Sequence, residues 1–335
     1  MKESSPTVAI RCITFNHGPY IRQCLEGFVM QKTTFPFVAI VHDDASTDET
    51  STIIKEYAIK YPHIIKPIFE KENQYSKRDG SLSKRINKAI EATGCKYMAI
   101  CEGDDYWTDP MKLQIQFDFL ESHPEFAFCC HRFKIYDQRK NLYLKEYASE
   151  YYNDSVGVVI DNAIFLKIWI TQLLTTMFRF EKYRESVTQC YDNNLKFGTR
   201  DVNIFYYLLK SNKGFSLNRQ MGVYRWHSGG IASIISLHEK RKSMYNVYKD
   251  LYYKNINDSL LQKKYLFCLQ KYLQDYEFIK FKDRYILFIE SINNSNTPTE
   301  ILTSILSYAI PPIIFKWIYR YRENKRNIDN ILHCL

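Results

Sequence analysis

Hydrophobic and polar positions alternate in blocks from the start of the chain. Thr7 to Thr14 is a short apolar run suited to a buried strand. Phe15-Asn16-His17-Gly18-Pro19 breaks it with turn residues, and Tyr20, Cys24, Leu25 and Phe28 then recur at helical spacing. Phe37 to His42 predicts a second strand, ending in Asp43-Asp44-Ala45-Ser46-Thr47-Asp48-Glu49. Ser46 and Glu49 have the spacing of a capping box, and Ile53, Ile54, Tyr57 and Ala58 supply the apolar face of the helix it would open. Ile64 to Phe69 predicts a third strand. A helix over Ser83 to Ala92 follows, closed by Gly94, and Tyr97 to Cys101 climbs as the next strand. Strand and helix alternating at this pace predict an α/β fold, a mostly parallel Rossmann-like sheet with helices on both faces.

The strand at Tyr97 runs into Glu102-Gly103-Asp104-Asp105, ahead of a helix that Asp109 and Pro110 are expected to begin. Carboxylates this close repel one another, and burying them unpaired costs several kcal/mol. A hard divalent cation with oxygen ligands, completed by substrate phosphates, relieves both problems. In open α/β sheets ligands gather at the carboxyl ends of strands, where this cluster falls. An acidic surface turn is the bland alternative. Neither a Gly-x-Gly-x-x-Gly nor a Gly-Lys-Ser/Thr loop occurs, so dinucleotide binding and a P-loop are unsupported.

Composition adds bounds. The 335 residues suffice for one large domain with an appendage, or for two domains. The nine cysteines are scattered without a Cys-x-x-Cys pair, which favours buried thiols in a reducing, cytoplasmic setting over disulfides or zinc. The first residues lack the apolar core of a signal peptide. A net charge of +9 calls for an anionic partner: nucleotide phosphate, membrane surface or nucleic acid.

Three segments carry a resemblance: Val-Ala-Ile-Arg-Cys-Ile-Thr-Phe-Asn (8–16), Ile-Val-His-Asp-Asp-Ala-Ser-Thr-Asp (40–48) and Cys-Glu-Gly-Asp-Asp-Tyr-Trp-Thr-Asp-Pro (101–110). In order and spacing they resemble the successive motifs of family 2 glycosyltransferases, over roughly residues 6 to 235, and in particular bacterial members that build surface polysaccharide or lipopolysaccharide. The resemblance implies a GT-A fold, a nucleotide-diphosphate sugar donor with UDP foremost, a glycan or lipid-linked acceptor, inverting transfer, a DxD-type site for Mg2+ or Mn2+, and no role for nucleic acid. Position by position, it implies that Asp44, with Asp43 beside it, reads the base edge and that Phe15 stacks on the base. Asp104 falls on the ribose side of the metal motif and Asp105 at its metal ligand. Glu102 departs from the family's usual aspartate. Lys77, Arg78, Lys84 and Arg85 could neutralise diphosphate or form a solvated basic face.

Asp161 to Arg179 is largely apolar and resembles the family strand lining the acceptor pocket, with Thr175 and Thr176 at its end. Asp201 precedes an amphipathic pattern, Val202, Ile204, Phe205, Leu208 and Leu209. An N-cap is its ordinary reading. Its position resembles that of the family's catalytic base, with Glu181 and Asp192 as weaker alternatives. Val223-Tyr224-Arg225-Trp226-His227-Ser228-Gly229-Gly230 looks like the family's closing segment, which implies Arg225 at the leaving diphosphate and His227 at the metal. These readings place the transferase domain at 1–236. Residues 237–335 form a helical appendage, with a candidate membrane-interface segment at 301–326. There an apolar run interrupted by Pro311-Pro312, too short to span a bilayer, precedes Lys316, Arg320, Arg322, Lys325 and Arg326. A terminal helix packed on the domain is the equal alternative. A sugar-nucleotide nucleotidyltransferase and a non-catalytic nucleotide-sugar binding module are the rival functions.

Overall fold

The computed structural model describes residues 5–77, 79–144, 148–152, 156–196, 200–275 and 278–309. The chain divides into two compact units, the first comprising residues 1–165, 170–192 and 198–227, the second residues 166–169, 193–197 and 228–335.

The first unit follows the alternation of the sequence. In order it contains β1 (Val8–Thr14), α1 (Gly18–Val29), β2 (Phe37–Asp43), α2 (Thr50–Lys60), β3 (Ile65–Phe69), α3 (Ser81–Ala92), β4 (Tyr97–Ile100), β5 (Tyr106–Trp107), α4 (Lys112–Ser122) and β6 (Phe126–Asp137). Then come β7 (Leu142–Tyr143), β8 (Gly157–Ile160), α5 (Asn162–Lys167), whose last two residues fall in the second unit, β9 (Met177–Arg179), α6 (Phe180–Asp192), α7 (Asp201–Ser211) and β10 (Lys213–Trp226). One sheet takes the order β3-β2-β1-β4-β9-β6-β10-β5, with β7 on β6 and β8 on β10. The long ladders, β1 with β2 and β4, β2 with β3, and β6 with β10, are parallel. The short strands β5, β7, β8 and β9 all pair antiparallel. Parallel strands need both faces covered, and β1 and β4 are accordingly buried almost throughout.

Register decides where the chemistry falls. Thr14 pairs with Asp43, and Arg11 pairs with both Ile40 and Ile100. The carboxyl ends of β1, β2 and β4 therefore finish side by side. Past the ladder, Cys101 N–H donates to Arg11 O (3.1 Å) and Gly103 N–H to Ile13 O (2.9 Å), which carries the acidic loop along the end of β1.

Local chemistry departs from the sequence expectations in three places. The capping box at Ser46 and Glu49 does not form: Ser46 turns back to hydrogen-bond Asp43, and Asp48 instead accepts the Thr50 N–H at 3.0 Å as α2 begins. The positive φ of Ala45 (64°) bends the chain away from the geometry a box requires. The apolar stretch Asp161 to Arg179 is not one strand but α5, a 3-10 turn at Leu173–Thr175 and the short β9. Asp201 is not an N-cap: Arg200 occupies that position in extended geometry and Asp201 is the first helical residue.

The second unit includes α8 (Ile231–Ile234), α9 (Leu237–Tyr253), α10 (Ser259–Leu273), α11 (Phe281–Asn293) and α12 (Pro298–Ala309). A capping box does open α9, built from Ser236 and Glu239, which the sequence reading passed over. Inside the bundle, Glu290 accepts from the Tyr245 and Tyr265 hydroxyls and pairs with Lys249 at 2.9 Å. Of the segment 301–326, residues 310–326 lie outside the described residues, as do Arg78 and Cys334.

One core residue opposes folding. Lys112 is wholly buried, its ammonium 3.8 Å from the Trp107 ring centroid and without a hydrogen-bond partner. The ring face attracts the cation, yet burial dominates and lowers the lysine from its ordinary 10.5 to about 7. Between these values the unfolded chain holds a proton that the folded chain has released. Stability therefore rises with pH across that window, and the lysine costs most below it. Lys112→Met is expected to raise stability at neutral pH by on the order of 3 kcal/mol. It should also flatten the rise of the urea midpoint between about pH 7 and 10. A variant whose midpoint tracks the parent at every pH would show that the ammonium carries no penalty.

Candidate active site

The first two strand ends are zipped together by their loops. Asn16 adopts a left-handed φ of 54°, which aims its N–H at Ser46 Oγ (2.8 Å) and its Oδ1 at the Thr47 N–H (2.8 Å). Gly18 N–H donates to Asp48 Oδ2 at 2.9 Å. Between these contacts Phe15 stays 41% exposed. Asp43 and Asp44 are both buried. Asp44 accepts the Gln74 and Tyr75 N–H groups, one on each oxygen, at 2.7 and 2.9 Å, so it fixes the loop after β3. Asp43 accepts from Ser46, and burial raises its carboxyl above the usual range.

The acidic loop is the next layer. Gly103 packs against β1 so closely that a Cβ there would stand 2.7 Å from Thr14 Oγ1 and 3.0 Å from His17 Nδ1. Only glycine permits that approach. The two aspartates beyond it diverge. Asp105 turns inward, buried, and accepts the Arg225 backbone N–H at 2.8 Å. Burial, then the charge of Asp104, pushes its carboxyl well above the usual range. Asp104 turns toward two imidazoles, with His227 Nε2 at 3.1 Å and His17 Nε2 at 3.9 Å from Oδ2. Burial opposes its ionisation, but the hydrogen bond from His227 and the nearby His17 prevail and hold it below the usual range.

His17, Asp104 and His227 offer ligand atoms all within 4.8 Å of one another. Burial lowers the His17 imidazole, which favours the neutral form a metal needs. The Nδ1 atoms of both histidines are buried without hydrogen-bond partners, while the Nε2 atoms face Asp104. Two imidazoles and a carboxylate form a donor set that fits a divalent cation. Sequence reading put Asp105 in this set. The geometry instead brings in His17, whose only sequence signal was its place in the turn after the first strand.

Arg225 locks the loop from above. Its Nε donates to Asp104 O (2.8 Å), Nη1 to Gln138 (2.6 Å) and Nη2 to Gln23 (2.5 Å). The guanidinium also lies over Tyr20 and Tyr106, 5.1 and 5.0 Å from the ring centroids. Three of its five N–H groups are thus engaged, leaving two for an anion.

Glu102 faces the other way. Its side chain is exposed to solvent, with Asp104, Arg11 and Asp201 near enough to act on it. Loss of hydration, then the charge of Asp104, raises its carboxyl to about 7, with Arg11 pulling the other way and Asp201 adding a smaller upward push. Asp201 is half-buried, and burial raises its carboxyl too. Tyr224 feels Asp105, Asp104, Glu102 and Asp201 together, which on top of burial keeps its phenol protonated. One cluster of negative charge therefore joins the acidic loop after β4 to the start of α7 and to β10. Tyr224 and Arg11 interact with it, though the sequence reading assigned neither a role.

Among the other candidates, Thr176 adjoins the end of β4, its carbonyl accepting the Ile100 N–H at 3.3 Å. Thr175 and Thr176 are fully buried, their hydroxyls donating to Gln172 O at 2.6 and 2.9 Å. Lys77 pairs with Glu72 at 2.5 Å and Arg85 with Glu70 at 3.3 Å. Glu181 and Asp192 are exposed at opposite ends of α6.

Comparison with known proteins bears on the fold and the family. An uncharacterized protein of Mycobacterium tuberculosis is 41% identical over 128 residues, 38% of this chain and 35% of the relative. The match thus spans about a third of that relative's length. Among solved structures, Staphylococcus aureus TarS residues 1–349 in complex with UDP-GlcNAc superimposes with a TM-score of 0.59 at 16% identity, covering 86% of this chain and 80% of that one. The mannosyltransferase PcManGT from Pyrobaculum calidifontis, in complex with GDP-Man and Mn2+, gives 0.56 at 13% identity over 99% and 86%. At such identities the likeness is one of fold, and that fold is GT-A. Residues 10–187, more than half of the chain, match the sequence model of Glycosyl transferase family 2, and the chain belongs to that family.

Proposed function

We propose that the chain is an inverting glycosyltransferase that moves a sugar from a nucleotide-diphosphate donor to a hydroxyl of a glycan or lipid-linked acceptor. The observation that carries this reading is the Asp104–His17–His227 cluster at the strand ends, with ligand atoms within 4.8 Å of one another and with Glu102 and Asp201 close enough to act on each other electrostatically. Asp201 removes the acceptor proton as the oxygen attacks the anomeric carbon, and the bond from that carbon to the diphosphate breaks on the opposite face. Its burial makes it a stronger base than a solvated aspartate, as the role requires.

Asp104, His227 and His17 hold the cation, which when bound offsets the charge of the diphosphate. Two imidazole donors favour Mn2+ over Mg2+, which prefers oxygen ligands and retained water. Asp105 acts as the pillar under Arg225, whose two uncommitted N–H groups face the leaving group. Asp44 keeps lone pairs beyond the two it gives to backbone amides, enough to accept a base N–H. Phe15 offers an exposed ring for stacking. UDP-GlcNAc and GDP-Man, the donors bound by the two solved relatives, are the first to compare. A lipid-linked acceptor would put the protein at the inner face of the cytoplasmic membrane.

Product analysis separates this reading from its rivals. Released nucleoside diphosphate indicates transfer, pyrophosphate indicates nucleotidyl transfer, and binding without either indicates a non-catalytic module. For the base, Asp201→Asn is expected to leave stability and donor binding near the parent values while transfer falls at least about 100-fold. Near-parental transfer would move the base elsewhere, with Glu181 and Asp192 next to test. For the metal, Asp104→Asn and His17→Ala are each expected to weaken Mn2+ binding in calorimetry by at least about tenfold, a loss that even an outer-shell partner can produce. Asp105→Asn, which preserves an acceptor for the Arg225 N–H, should bind Mn2+ nearly as the parent does. The reverse ranking would return Asp105 to the ligand set.

A further inference from the structure

Helix α12 is built inside out. Its buried side is small and polar: Ser304 and Ser307 are wholly inaccessible. Its outer side is aliphatic, with Ile301, Leu302, Ile305 and Leu306 exposed at 38, 55, 42 and 39%. These four recur at i, i+1, i+4 and i+5 and so share one face. Besides the stacking of Tyr308 on Phe288 of α11, the inner contacts are hydroxyl bonds at Ser304. Gln270 of α10 donates to Ser304 Oγ at 2.9 Å, and Ser291 of α11 meets it at 2.6 Å. The neighbouring α11 also exposes Ile286 and Ile289, at 53 and 38%.

A helix in water buries its aliphatic stripe and exposes its polar one. Small residues and hydroxyl bonds between helices, with branched aliphatics facing outward, are the arrangement of helices in lipid. The twelve described residues of α12 rise about 18 Å, against a hydrocarbon core of about 30 Å. No helix among the described residues is long and apolar enough to cross a membrane. The aliphatic face therefore suits insertion into one leaflet, parallel to the surface.

The sequence after α12 identifies which surface. Residues 310–326 carry Lys316, Arg320, Arg322, Lys325 and Arg326 against the single acid Glu323, with Trp317, Tyr319 and Tyr321 among them. Cations in this number beside an inserted helix favour an anionic leaflet, and indoles and phenols favour the headgroup level. We propose that the outer face of α12, extended by α11, docks on an anionic lipid surface. This surface lies in the second unit and acts independently of the transferase chemistry.

The test is flotation of the full-length chain with phosphatidylglycerol-rich vesicles, with phosphatidylcholine vesicles as reference. The parent is expected to float with the anionic vesicles. The double variant Leu302→Glu, Leu306→Glu is expected to lose about 100-fold in vesicle affinity, since two leucines forfeit their burial. Its circular dichroism and thermal midpoint should match the parent, because both positions are exposed. In a second measurement, Leu306→Trp should show a blue-shifted emission on adding anionic vesicles, relative to the parent. Equal flotation of parent and double variant, or no spectral shift, would overturn the proposal. So would a parent that ignores vesicles, whether it forms a dimer that the double variant abolishes, which would assign the face to a second copy, or stays monomeric, which would assign it to the chain's own residues 310–335.

Discussion

Arg225 is the tie on which the site depends. Its main-chain N–H satisfies Asp105, its guanidinium holds the Asp104 carbonyl, and its other N–H groups reach Gln23 on α1 and Gln138 just past β6. Tyr20, Tyr106 and Tyr136 surround it with ring faces. A buried guanidinium is tolerated when most of its donors are engaged and its charge is balanced. Here the balance comes from the acidic loop itself. Arg225 cannot be placed without the loop, and the loop could not crowd its carboxylates at the end of β4 without Arg225. That mutual requirement couples segments more than a hundred residues apart in the chain.

The loop also separates the fates of adjacent residues. Asp105 lies inward and is pushed toward the protonated form, Asp104 lies toward two imidazoles and is held ionised, and Glu102 lies outward with a carboxyl near neutrality. Glu102 and Asp104 differ because one faces crowding and like charge while the other faces opposite partial charge. Gly103 makes the divergence possible, since no larger residue could lie so close to Thr14 and His17. Polar density of this kind costs stability, and the core beneath adds a further cost in Lys112, sealed against Trp107. Proteins commonly tolerate such strain around a working site. Lys112 has no evident role in the proposed chemistry.

The two units obey different rules of solvation. In the first, aliphatic side chains of β1, β2 and β4 are buried between helical layers, and the polar residues gather at the strand ends. In the second, Leu251, Leu261, Leu269 and Leu273 form an aliphatic core, but polar groups join them inside: Glu290 among tyrosines, Gln270 and the serines between helices. Such contacts give directional, specific packing at modest net energy. They leave aliphatic side chains of α11 and α12 on the outside, where water does not reward them.

The alternation of strand and helix through β4 was written in the sequence, because burying a sheet on both faces imposes runs of apolar residues that nothing else in a soluble domain requires. The acidic loop was equally visible, as was the family, because turn and charge motifs are local in the chain. The sequence did not determine which carboxylate faces which partner. Asp104 and Asp105 are neighbours with the same side chain, and only the tertiary paths of His17, His227 and Arg225 distinguish them. Nor was the orientation of α12 legible: the apolar run from Ile301 fitted a membrane-interface segment and a packed terminal helix equally well. Periodicity says that one face is apolar; whether that face meets protein or solvent is decided by what the neighbouring helices offer. Here they offer Gln270 and Ser291, which pair with serine and leave the aliphatic side facing out.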